Sequence, residues 1–454
     1  MRLINTKTYA FEEFIGRNIP KYAILSHTWE EEEVSFADVT SNPRFRKKKG
    51  WSKIDMTCKL ASHQGFAYAW VDTCCIDKSS SAELTEAINS MFRWYQRAEI
   101  CYVFLSDFNK GTVRNLGDCR WFTRGWTLQE LIAPCRVQFF DSSWRHCGNR
   151  SDMIAELAGI TRIDGRVLGQ RVDLSSVCVA EKMSWAASRE TTRIEDTAYC
   201  LLGIFNVNMP LLYGEEEKAF RRLQEHIIQS TPDLTIFAWR LPKPLAPTLR
   251  SSQETAVSGV LAGSPSFFTG CGRIVRVWNR GGPKEFTVTH HGIKVTASHV
   301  EVTVEATGAK PIRYILELDC YVHGDDGVKK NLAILLKKCG RDQFVRANAL
   351  DWIGHDGLEQ NVGWSRDYPG MSSAGLRYLI TDLKEACAPS LLPPNMPTGS
   401  SNLLRMGATV LQTKKPLWAT FHQAWPLGCF DREDQVFFSI LPRAGPPFWV
   451  LHAT

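Results

Sequence analysis

The sequence predicts an α/β domain with a helical extension, followed by a β-rich antiparallel domain. Three observations predict it. Short apolar runs alternate with helical patterns across residues 1–148. Helical patterning alone then fills 149–240. After 285 the period becomes the two-residue alternation of strands with one buried face.

The elements follow in order. Tyr22 to Ser26 is an unbroken apolar run of strand length. Trp51, Ile54, Cys58 and Ala61 fall at helical spacing, and Phe66 to Asp72 reads as a second strand. Leu84, Ile88, Met91, Phe92 and Tyr95 form one apolar stripe, which predicts an amphipathic helix over 82–98. Ile100 to Leu105 is a third strand, Thr127 to Ala133 a short helix stopped by Pro134, and Arg136 to Phe140 a fourth strand. Alternation of this kind implies a parallel sheet with helices on both faces.

Helices are expected over 153–158, 180–188, 194–205 and 215–229, the last two separated by Pro210 and Gly214. Residues 241–285 hold Pro242, Pro244, Pro247 and Gly281-Gly282-Pro283, which reads as a linker or long loops. The β-rich domain is expected over 286–454. Its strands are 286–290, 293–297, 300–304, 312–321, 332–337 and a final group in 435–451, with a turn at 324–327 and a loop at 388–402.

Composition excludes several classes. The 454 residues are 44% hydrophobic and 22% charged, ordinary for globular chains. The net charge of +6 is mild at this length and gives no reason to expect a nucleic-acid partner. None of the 14 cysteines has the C-x-x-C spacing of a zinc or redox site. Residues 1–7 lack the apolar core of a signal peptide, and no apolar run is long enough to span a membrane. The expectation is a reducing, cytoplasmic compartment with thiols packed as small hydrophobes. Cys74-Cys75 is the alternative reactive pair. The basic run Arg44 to Lys49 reads as a solvated loop or, more sharply, as an anion-binding or nuclear-import patch.

In an open parallel sheet, ligands bind in the crevice beyond the carboxyl ends of the strands. That rule selects Ser26, His27 and Trp29 after the first strand and Asp72 after the second. It also selects the turn and helix Arg124-Gly-Trp-Thr-Leu-Gln-Glu130. Trp126 and Glu130 are four apart and share a helix face. Each has a structural reading beside the functional one. The tryptophans cap a core, Asp72 bonds a turn, Arg124 pairs with an acid, and Glu130 is solvated. G-x-S-x-G, G-x-x-x-x-G-K-[ST], H-E-x-x-H and G-x-G-x-x-G are all absent, which discounts a bound dinucleotide cofactor but not a nucleotide substrate.

Tyr22 to Trp29, Ala69 to Asp77 and Arg124 to Glu130 resemble the three blocks of the fungal heterokaryon incompatibility (HET) domain. Glu83 fits the same pattern. Glu195 to Gly203 and Met209 to Glu215 resemble the helical segment that follows that domain in many such proteins. The likeness covers 20–235. The HET domain in turn is similar to TIR domains, whose W-x-x-x-E helix matches Trp126 to Glu130. The resemblance implies a TIR-like or flavodoxin-like parallel sheet and a role in nonself recognition and programmed cell death. In NAD-cleaving TIR domains that glutamate is catalytic, which makes Glu130 the catalytic candidate. Ser26, His27, Trp29, Asp72, Arg124 and Trp126 become the substrate-binding candidates. NAD enters as substrate; no cofactor and no metal are expected. The other implied reading is a non-catalytic signalling module that self-associates or recruits protein partners.

Overall fold

The computed structural model describes residues 1–16, 18–111, 115–241, 257–277, 286–290, 292–296, 300–303, 313–323, 327–340 and 343–347. It also describes 349, 352–354, 376–379, 405–410, 430–431 and 436–441. The chain divides into two compact units. The first is Met1–Ser230 with Gly263–Gly272; the second is Thr231–Ala262 with Arg273–Thr454.

The first unit opens with β1 (Arg2–Asn5), β2 (Phe11–Glu13) and β3 (Tyr22–His27). Then come α1 (Phe36–Ser41), α2 (Trp51–His63), β4 (Tyr68–Trp70), α3 (Asp72–Cys75), α4 (Ser81–Arg97) and β5 (Ile100–Phe104). The last part holds α5 (Arg120–Thr123), α6 (Thr127–Ile132), β6 (Val137–Phe140) and β7 (His146–Asn149). They form one sheet of order β2-β1-β4-β3-β5-β6-β7. β3 runs parallel to β4 and β5, and β5 parallel to β6. β1 is antiparallel to β2 and β4, and β7 to β6.

The sheet is therefore mixed, whereas the alternation predicted a parallel one. The antiparallel strands sit at its two margins and are three or four residues long, too short to show a period. Arg2, Glu12 and Glu13 place charge on that margin, which discourages pairing with another chain. All six residues of β3 and all five of β5 are buried, as central parallel strands require. The second strand ends earlier than its apolar run, because Val71 turns the chain and Asp72 begins α3. The amphipathic stripe becomes α4, burying Ala87, Ile88, Met91 and Tyr95, with Ser80 accepting from the Glu83 N–H as N-cap.

The helical extension contains α7 (Ile154–Thr161), α8 (Gly165–Leu168), α9 (Val179–Ala186), α10 (Asp196–Tyr199) and α11 (Lys218–Ser230). Of the helix expected over 194–205 only α10 is regular. Gly203 lies so close to α4 that a Cβ there would sit 2.0 Å from Phe92 Cβ, and Asn206 turns left-handed at φ 53°. Within 241–285, Pro265–Phe268 forms a 3-10 turn against α9, and Phe268 and Cys271 are fully buried.

The second unit is β-rich. Its larger sheet joins β8 (Val257–Ser258), β9 (Ile274–Arg276), β10 (Phe286–Thr289), β11 (Gly292–Thr296), β12 (Val300–Thr303), β13 (Arg313–His323), β14 (Lys329–Gly340), β15 (Gln343–Ala347), β16 (Ile353–Gly354) and β17 (Leu376–Leu379). All its pairings are antiparallel except that of β15 with β17. A smaller sheet holds β18 (Arg405–Val410), β19 (Phe430–Asp431) and β20 (Val436–Leu441). The Arg346 guanidinium ties the larger sheet to the preceding turn. It donates to the carbonyls of Phe237 and Trp239 and stacks 3.9 Å from the Trp239 ring centre. The loop expected at 388–402 and the residues beyond 441 lie outside the described residues.

Among the described residues no helix is long and apolar enough to cross a membrane. The described cysteines form no disulfide, and all but Cys135 and Cys147 are buried. The basic run is partly absorbed by the fold. Lys48 pairs with Asp38 at 2.7 Å, and the Arg46 guanidinium lies 5.3 Å from the Trp51 ring centre.

Candidate functional site

The four parallel strands, numbered as they follow in the chain, lie in the order 2-1-3-4. The order reverses between β3 and β5, the position at which open α/β sheets take their ligands beyond the carboxyl ends of the strands. Ser26 and His27 end β3 at that point.

Alternation sends Ser26 and His27 to opposite faces of the sheet. Ser26 is fully buried and joins a relay. Trp121 Nε1–H donates to Ser26 Oγ at 2.8 Å, and the Ser26 hydroxyl donates to Glu130 Oε2 at 2.5 Å. The Tyr95 hydroxyl, which donates to the Leu25 carbonyl, also faces Glu130. All six residues of α6 are buried, and Glu130 retains 7% of its surface. Burial pushes its carboxyl up to about 8. The hydrogen bond from Ser26 opposes that rise, nearby Asp72 adds to it, and Tyr95 and Arg189 oppose it. A carboxyl group in this setting changes protonation near neutral pH, as a group that moves protons must.

His27 sits in a charged cluster. Its Nδ1 is 3.8 Å from Asp72 Oδ1 and its Nε2 is 3.8 Å from Glu33 Oε1, both beyond hydrogen-bond length. Burial holds its pKa below the ordinary 6.5, so the imidazole is neutral. The Lys53 ammonium bonds Glu33 closely and donates to the Thr28 carbonyl at 3.2 Å. Trp29 Nε1–H donates to Asp72 Oδ2 at 2.8 Å. The Trp29 ring is 49% exposed, with Lys78 Nζ 3.4 Å from its centre. It therefore presents a flat, partly solvated aromatic surface just beyond the end of β3. Arg120 spans Glu30, at 3.0 Å, and Asp107, at 3.4 Å.

The structure thus joins Ser26 to Glu130, and joins His27 and Trp29 to Asp72. Asp72 links the two groups, since its charge acts on both Glu130 and His27. Arg124 and Trp126 have other partners. The Arg124 guanidinium donates to Thr192 Oγ1 at 3.2 Å, and the Trp126 indole to Asp196 Oδ2 at 3.3 Å. Glu83 closes a turn, accepting from Arg2 and from the Asp77 N–H. Sequence reasoning passed over Trp121, Tyr95, Lys53 and Arg189. Tyr95 lay on the α4 stripe, where its aromatic ring was the only signal. Trp121 stands three residues before the third block. Arg189 lies 59 positions beyond Glu130, with no periodic relation to it. Among the described residues no group of His, Cys, Asp or Glu side chains could hold a metal ion.

Comparison with known proteins covers the first two of the three sequence blocks with a family match, and the third, Arg124 to Glu130, lies beyond it. Residues 22–115 match the family described as "Heterokaryon incompatibility protein (HET)". Residues 218–304 match a domain of unknown function, DUF8212. The chain is 48% identical over 221 residues to vegetative incompatibility protein HET-E-1 of Podospora anserina. That match covers 46% of this chain but only 16% of the relative. No solved structure matches.

Proposed function

We propose, from the premise that this is a fungal HET-domain protein, that it acts in vegetative incompatibility by promoting cell death. We further propose that its HET domain cleaves the nicotinamide–ribose bond of NAD, in a TIR-like manner. The observation that carries the enzymatic reading is the Glu130 carboxyl, buried at the strand-order reversal and bonded to Ser26. The match to the HET family and the relative's name support the biological role.

The chemistry suits one buried carboxyl. Nicotinamide leaves as a neutral ring, taking the C1′–N electron pair, so no acid need protonate it. The ribose develops oxocarbenium character, as in glycoside hydrolysis. A carboxylate beside it stabilises that charge and accepts hydrogen bonds from the ribose hydroxyls. Water then adds to C1′ and releases one proton. The nicotinamidium ring is cationic before cleavage, and a cation beside Glu130 offsets the burial that keeps it protonated. NAD binding near neutral pH should therefore expel a proton from the site. Trp29 offers a ring on which a planar base can stack. Ser26 orients the carboxyl, and Asp72 holds Trp29.

The test is NAD loss by the purified full chain. Wild type should consume NAD, and Glu130→Gln should not while keeping its circular dichroism. Equal consumption by the two proteins refutes the assignment. One observation favours a second reading, a non-catalytic module acting through self-association or partners: Ser26 has no exposed surface and Glu130 only 7%. Absence of NAD loss from a folded wild-type chain that still triggers cell death would select it.

A further inference from the structure

Residues 189–200 hold the turn that leads into α6. Gly125 N–H donates to the Glu190 carbonyl at 2.9 Å, and Glu190 N–H to the Thr123 carbonyl at 2.6 Å. These bonds form a parallel bridge between Arg124 and Glu190. The approach is too close for any side chain at Gly125. A Cβ there would lie 2.6 Å from Thr191 Cγ2 and 3.1 Å from Cys200 Sγ. Trp126 is tied to Asp196, whose other oxygen accepts from the Tyr213 hydroxyl at 3.0 Å.

Arg189 enters beneath this bridge. Its Nη1 donates to the Arg124 carbonyl at 2.8 Å and to Thr127 Oγ1 at 2.9 Å, and its Nε to the Trp185 carbonyl at 3.2 Å. Thr127 is itself locked, its hydroxyl contacting the Trp121 and Arg124 carbonyls at 2.6 and 2.9 Å. Thr127 and Glu130 are three residues apart on α6 and so lie on one face. The charge of a guanidinium fixed to Thr127 therefore acts on Glu130. Its Nη2 is buried and makes no hydrogen bond.

We propose that Arg189 is the positioning residue of Glu130: its Nη1 fixes the Arg124 carbonyl and Thr127 at the start of α6, and its charge favours the ionised carboxyl. The helical extension is then a constituent of the site rather than an appendage. This rests on the reading of Glu130 as the working carboxyl. Burial pushes the guanidinium itself down to about 10, so it remains a cation throughout the range in which Glu130 ionises. The other groups facing Glu130 are Asp72 at the start of α3, Tyr95 of α4, Cys101 of β5 and Ser26 of β3. Arg189 is the cation whose charge acts on Glu130; Arg150, which donates to the Leu131 carbonyl at 2.5 Å, acts on Cys101, and His27 beyond Asp72 is neutral.

The experiment uses the full chain with isotope-labelled glutamate and follows Glu130 ionisation by infrared difference spectroscopy, assigned with Glu130→Gln. Arg189→Met should raise the titration midpoint by about a pH unit, a roughly tenfold weaker ionisation. Arg189→Lys, which keeps the charge, should hold the midpoint within about threefold of wild type. Arg189→Gln is the second neutral variant, should Arg189→Met not fold. An unchanged midpoint in a folded neutral variant overturns the proposal, as does a Lys variant displaced as far as the neutral one. The acid limb of NAD loss should move with the midpoint. If the midpoint moves but wild type consumes no NAD, the role of Arg189 stands and the NAD reading falls.

Discussion

Replacing Glu130 by Gln should stabilise the first unit, and the gain should grow with pH. The carboxyl is held at about 8 in the fold against an ordinary 4.5, so the fold prefers its protonated form. A group raised in this way stabilises below its unfolded pKa and loses that contribution as pH rises through the folded one. At about 1.4 kcal/mol per pH unit, the cost of Glu130 relative to a neutral side chain is roughly 1–2 kcal/mol at pH 5.5. It is roughly 4–5 kcal/mol at pH 8.5. Glutamine does not reproduce every contact of the carboxyl, but that offset is independent of pH. The widening of the gap, about 3 kcal/mol between the two pH values, is therefore the quantity to measure. Urea unfolding read by hydrogen exchange of β3 and α6 peptides isolates this unit from the C-terminal sheets. A gap that stays constant within about 1 kcal/mol would refute the burial argument.

Other consequences can be measured alongside. Ser26→Ala leaves the buried Trp121 N–H without its acceptor, costing about 1–3 kcal/mol, and should raise the Glu130 midpoint in the same infrared titration. Gly203→Ala drives a methyl group into Phe92 and should cost about 3 kcal/mol; Phe92→Ala in the same chain should recover part of it, and strict additivity would contradict the contact. His27 is held neutral, so its contribution to stability is present above pH 6.5 and lost as pH falls; His27→Gln should flatten the acid limb of stability, and an imidazole found charged by NMR at pH 6 would count against this. Arg346→Met removes the donor from two carbonyls and should cost at least about 2 kcal/mol, confined to exchange in the second unit.

Parts of this molecule were legible in the sequence for identifiable reasons. α4 was readable because apolar residues recur on one face of a 17-residue helix, which buries Ala87, Ile88, Met91 and Tyr95. β3 and β5 were readable because central strands are apolar on both sides. β1, β2 and β7 were not, since strands of three or four residues carry no period. The strand-end rule selected Ser26 and Glu130 separately, though 104 positions divide them. The rule says where strands end, and nothing about which way a side chain then turns. Arg124 and Trp126 show that limit. They occupy the turn that leads into α6, and their side chains bond Thr192 and Asp196. Arg189 had no signal, because its meaning lies in a distant carbonyl and hydroxyl.

The chain leaves the first unit after Ser230, returns for Gly263–Gly272, and leaves again at Arg273. Three crossings mean that no single cut yields both units whole. A fragment ending near residue 240 lacks the stretch that buries Phe268 and Cys271 beside α9. Extending it to 272 keeps that stretch but takes Thr231–Ala262 away from the second unit. The two units are laced rather than strung. Any one break in the chain therefore severs a stretch of one unit from the rest of that unit.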